Sequence, residues 1–134
     1  MDISAFKGVN VAEEVVATKE ESKEMKAIKR EYEQMDVAYF KKIVDKLAFY
    51  GRQFESNRTA ENQYLLELAK IELWKAEARY YGYKEILEDP DKLEEVKQRV
   101  KEKLDDLELT RKSLIEAMKY LQKKKEGEQL KLGE

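Results

Sequence analysis

Gln63–Leu87, QYLLELAKIELWKAEARYYGYKEIL, carries two apolar stripes on a single helical repeat. Leu66, Ala69, Leu73, Ala76, Tyr80, Tyr83 and Leu87 recur at steps of three and four residues. Tyr64, Leu68, Ile71, Trp74, Ala78 and Tyr81 make a second, rougher stripe on roughly the opposite side. A helix lying on a protein surface needs one such stripe, so a helix with two is packed from both sides. The spacing predicts a central helix that the rest of the chain is built around.

Outward from this helix, punctuation is sparse. Glu55-Ser56-Asn57-Arg58-Thr59 reads as a turn. Asn57 or Thr59 is placed to cap the helix that follows, because an oxygen-bearing side chain can accept from the open backbone N–H groups of a first turn. Asp89-Pro90 is the clearest boundary, with Asp89 as N-cap and Pro90 at the first helical position. Upstream, Met25, Ile28, Tyr32, Met35, Tyr39, Ile43, Leu47, Tyr50 and Phe54 hold a repeat close to 3.6, which suits a straight bundle helix better than a long heptad zipper. A break before Met25, or a bend or fraying at Gly51, is open on this reading. Downstream, Leu93, Val96, Val100, Leu104, Leu107, Leu114, Met118 and Leu121 mark a third stripe, interrupted near Arg111. Gly127 after Lys123, Lys124 and Lys125 reads as its C-cap.

The expected fold is all-α: three long helices, about 11–55, 59–88 and 90–126, forming an antiparallel bundle or a coiled-coil-like hairpin assembly. Residues 1–10 are expected to be a flexible arm, 11–126 a single helical domain and 127–134 a flexible tail. Short turns make sequential helices antiparallel neighbours. Folding about residue 57 then brings Tyr32 towards Gly82 and Phe40 towards Trp74. The segment from Val11 to Glu24 projects past the Asp89-Pro90 turn, without support from a simple bundle.

Composition narrows the chemistry. With 134 residues, 42% charged, five glycines and one proline, the chain is one domain-sized unit rich in helix formers. Its 27 basic and 29 acidic residues are interleaved, so the net charge of -2 gives no general attraction to nucleic acid or acidic lipid. The absence of cysteine removes disulfides and thiol chemistry, and the absence of histidine removes imidazole bases and the usual zinc sets. The glycines are isolated, so no phosphate-binding loop is visible. Paired acids such as Glu94/Glu95 and Asp105/Asp106 sit in polar stretches and read as solvated surface. No secretory start and no apolar run of membrane-spanning length is present, and the expected location is the cytoplasm.

These observations predict a protein that is not an enzyme, needs no cofactor or metal and takes no small-molecule substrate. The expected function is a helical protein–protein interaction or assembly module that self-associates, with a homodimer favoured over another protein partner. Val11, Val15, Tyr64, Leu68, Ile71, Trp74 and Tyr81 form the candidate interface. The rival is a monomer whose outer helices use both central stripes internally. The alternative function is a nucleic-acid-associated helical protein using lysines of the third helix and its C-terminal end, with Lys119, Lys123, Lys124 and Lys125 as candidate contacts.

Overall fold

The computed structural model describes residues 23–133. Val11, Val15, the proposed N-terminal arm and the first part of the expected first helix lie outside the described residues. Among those described, the fold is an all-α bundle of four helices rather than three: α1 (23–34), α2 (Val37–Ser56), α3 (Ala60–Glu88) and α4 (Leu93–Gly133). A 3-10 turn, Pro90–Lys92, leads directly into α4.

The extra helix comes from a bend at Met35-Asp36, while α2 runs unbroken through Gly51. The chain ahead of residue 23, where a break before Met25 is also open, lies outside the described residues. Met35 N–H donates to both Glu31 and Tyr32 carbonyls, at 3.2 and 3.1 Å, tightening the end of α1. Asp36 has extended backbone and its carboxylate accepts from Tyr39 N–H at 2.9 Å, while its carbonyl accepts from Phe40 N–H, opening α2. Met35 and Phe40 lie in one apolar cluster, as residues before and four beyond an N-cap do in a hydrophobic staple. The apolar repeat continues through the bend, and so conceals it.

The other boundaries follow their local chemistry. Thr59 caps α3, its hydroxyl accepting from Asn62 N–H at 3.1 Å. Asp89 accepts from Asp91 N–H at 3.2 Å, with Pro90 beginning the 3-10 turn. Gly127 does not end α4, which continues to Gly133.

α3 is the central element, with α2 and α4 each packing mainly on it rather than on one another. The α2 side uses Leu73, Ala76, Tyr80 and Tyr83 of α3 against Met35, Tyr39, Phe40 and Ile43. Tyr80 lies edge-on to Phe40 at a centroid distance of 5.3 Å and accepts a 3.4 Å hydrogen bond from the Tyr32 hydroxyl, so it touches the chain on both sides of the bend. On the α4 side, Lys75 and Glu108 pair at 2.5 Å. A Cβ built on Gly82 would lie 2.3 Å from a Val100 methyl. Only a glycine lets the two helices approach this closely.

The bend carries α1 from the α2 side across to α4. There Ile28 closes over Ile86 and Val96, with Met25, Leu87, Leu93 and Val100 around them. Ile86 and Val96 are 1% and 0% exposed and are the largest fully buried side chains described. Glu24 pairs with Lys97 at 2.5 Å, and the Tyr83 hydroxyl donates to Glu31.

Candidate interaction face

Residues in α3 advance about 100° each, so Tyr81 and Tyr83, two apart, point to nearly opposite sides. Tyr83 faces the α1 cluster. Tyr81, and Trp74 seven residues before it, face the side that α1 leaves bare. Trp74 is 44% exposed and Tyr81 63%. Ala78 lies between them, giving a ridge with a low centre.

Two open grooves flank this ridge. The one towards α4 has a volume of about 630 Å³ and is lined by Trp74, Ala78, Tyr81, Gly82, Val96, Val100 and Leu107, with Glu77, Glu85, Arg99 and Lys103 at its edges. The one towards α2, about 720 Å³, is lined by Met35, Val37, Phe40, Val44, Leu73, Tyr80 and Tyr81, with Asp36, Lys41 and Glu77. Val37 and Val44 are exposed on this same face. Tyr80 and Tyr81 rings meet edge to face at 5.3 Å, which braces the Tyr81 ring from one side.

The candidate interface residues therefore separate. Trp74 and Tyr81 are brought together on an exposed ridge. Ile71 is 2% exposed and lies inside the bundle, and Tyr64 and Leu68 are half-buried. Position explains the difference. Ile71 stands four residues before Lys75, in the sector that α4 covers, whereas Trp74 and Tyr81 stand at its outer margin. Phe40, Val37, Val44, Glu77 and Lys103 belong to the same face and were not identified from sequence. Their shared face depends on the bend and on helix order, neither of which leaves a local sequence signal.

Charges on the face divide into satisfied and free. Arg99 donates to both Glu85 carboxylate oxygens at 3.0 and 3.1 Å. This bond, aided by Lys92, holds the Glu85 carboxyl below its ordinary pKa. Lys41 pairs with Asp45 at 2.5 Å. Glu77 and Lys103 have no ion pair among the described residues. One patch thus carries an unpaired acid and an unpaired base beside an apolar ridge.

The lysines considered for nucleic acid do not make a comparable surface. Lys119 lies 3.7 Å from Glu116 and Lys125 3.7 Å from Glu61, while Lys97 and Lys101 pair with Glu24 and Asp105. Lys123 and Lys124 are exposed at the distal end of α4.

Among the described residues, no group of three or more Asp or Glu is placed to hold a metal ion, and no buried side chain is polar or charged. No helix among them is long and apolar enough to cross a membrane. No protein-family model matches the chain, and no curated protein or solved structure matches it significantly.

Proposed function

We propose that this chain is a non-catalytic helical assembly module that pairs with a second copy through the Trp74–Tyr81 ridge of α3. The observation that carries the reading is the ridge itself: two large amphipathic rings exposed on one face, with an apolar groove on either side. Aromatic side chains of this kind are enriched at the centres of protein interfaces. A twofold axis near Ala78 lets each ridge enter a groove of the other chain, as ridge-into-groove packing of crossed helices requires. A symmetric contact must also be self-complementary in charge, and Glu77 of one copy facing Lys103 of the other satisfies this. The wholly apolar buried core and the lack of histidine and cysteine support the non-catalytic part.

Sedimentation velocity across a wide concentration range tests the reading. The wild type is expected to shift from monomer to dimer as concentration rises. Trp74→Gln with Tyr81→Gln should suppress the shift while leaving the helical circular dichroism spectrum intact. Glu77→Lys alone should weaken the dimer, and adding Lys103→Glu should restore it. A wild type that stays monomeric throughout, or a dimer indifferent to all four changes, overturns the proposal.

A further inference from the structure

The break between α1 and α2 is built without glycine or proline, since none occurs from residue 23 to 50. It is held by one side-chain cap, Asp36 to Tyr39 N–H, and by the seating of α1 on α3 and α4. The N–H groups of Val37 and Ala38 open α2 without a carbonyl one turn back, as first-turn groups do. Both residues are exposed, and Val37, an apolar side chain, is 85% exposed. Meanwhile Met25, Ile28, Tyr32, Met35, Tyr39 and Ile43 keep one continuous helical stripe across the break. The same residues therefore suit a single straight helix, which would complete the backbone ladder and retain an apolar face.

Straightening has one defined consequence. α2 packs on α3 and not chiefly on α4, so a straight extension of α2 carries Ile28 away from Val96. The seat formed by Ile86 and Val96, the most enclosed large side chains described, would then be open to water. We propose that Met35-Asp36 is an exchange hinge, through which α1 leaves its own seat and fills the seat of a second copy in a reciprocal dimer. The occupant is specified by the fit already present: Ile28 over Ile86 and Val96, Glu24 to Lys97, and Glu31 to the Tyr83 hydroxyl. Such an exchange reuses the contacts of α1 with its seat and adds backbone bonds at the hinge. It gives up only the Asp36 cap and the Met35–Phe40 staple of the bent form, which makes it a low-cost route to a dimer. It is a different association from the ridge dimer, which keeps each α1 on its own chain, although Met35, Asp36 and Val37 also line the α2-side groove.

The absence of cysteine makes a direct test available. One population carries only Glu24→Cys and a second only Lys97→Cys. They are unfolded, mixed at high concentration, refolded together and treated with a short bis-maleimide. A chain carrying both changes, refolded when dilute, establishes that the linker spans the two positions. Cross-linking between the two populations is expected. Asp36→Ala, which removes the cap of the bent form, should raise its yield at low conversion roughly fivefold per hinge. Val37→Pro should lower it more than about a hundredfold, because proline fits the first position of α2 but not the interior of a continuous helix. The extended backbone of Asp36 already suits a following proline, and circular dichroism checks that this variant folds. Trp74→Gln with Tyr81→Gln should leave the cross-link in place, which separates this dimer from the ridge dimer. No mixed product while the single-chain control reacts, or an undiminished product in folded Val37→Pro, overturns the hinge.

Discussion

Replacing Gly82 with alanine should destabilise the protein, although alanine is the better helix former. The side-chain-free position lies inside α3, where Gly→Ala gains about 1 kcal/mol in helix propensity. Against this, the new Cβ would stand 2.3 Å from a Val100 methyl, whereas carbon atoms prefer about 3.5–4.0 Å, so one group must move by more than about 1 Å. Val100 is β-branched and has one strongly preferred rotamer in a helix. Relief then requires α4 to shift from α3 beside Val96, which is completely buried. Overpacking of this kind costs about 1–3 kcal/mol, so the propensity gain is cancelled and the net loss reaches up to about 2 kcal/mol. Thermal unfolding should show a midpoint lowered by up to about 7 °C. Gly51 is the matched control. Its nearest neighbour to an added Cβ is Leu66 Cδ1 at 3.9 Å, an ordinary contact, so Gly51→Ala should gain up to about 1 kcal/mol. Gly82→Ala combined with Val100→Ala should be more stable than the sum of the two single changes implies. Equal stabilisation at Gly82 and Gly51, or strict additivity of the Gly82 and Val100 changes, would refute the close-approach argument.

Other expectations follow from the same contacts. Burial, reinforced by the Glu31 hydrogen bond and charge, raises the Tyr83 pKa from 10.0 to about 12. The neutral phenol is thus favoured by folding; its contribution is complete below pH 10 and is lost as pH rises through about 12. Urea unfolding across this interval should show a decline that Tyr83→Phe reduces. The Arg99 hydrogen bond lowers the Glu85 pKa, so Arg99→Gln should return the Glu85 titration, followed by NMR, towards the ordinary carboxylate range. In the native protein that depressed pKa contributes stability above the unfolded value, lost as pH falls through the folded one. Ile86→Ala empties the best-enclosed seat in the bundle and should cost about 2–5 kcal/mol by urea unfolding. A loss below about 1 kcal/mol would show that α1 does not close the seat.

The sequence made the centre of this fold legible because α3 needs two apolar stripes to be packed from both sides. Thr59, Asp89 and Pro90 were also legible, since caps and a first-turn proline act through groups close in sequence. The bend at Met35-Asp36 was not. Tyr32, Met35 and Tyr39 retain the helical spacing across it, and its stabilising partners, Tyr80, Ile86 and Val96, lie far along the chain. Gly127 misled for the opposite reason: its lysine-rich approach matches a helix terminus, yet α4 continues past it with nothing within 4 Å of an added Cβ. The candidate interface was legible in part. Periodicity identified the second stripe, but could not say that α4 would cover Ile71 and leave Trp74 and Tyr81 at the edge.

That edge has a geometric cause. Around α3, α2 takes the sector of Leu73, Ala76 and Tyr80, while α4 takes the sector of Lys75 and Gly82. α1 roofs the gap between these sectors on the side of Tyr83 and Ile86. The gap on the opposite side has no fourth neighbour among the described residues, and Trp74 and Tyr81 occupy it. Had the bend been absent, α1 would run on in line with α2 and both gaps would be open. Asp36 therefore closes one side of α3 from within the chain, and the two faces proposed for self-association are the seat that this closure covers and the ridge that it leaves exposed.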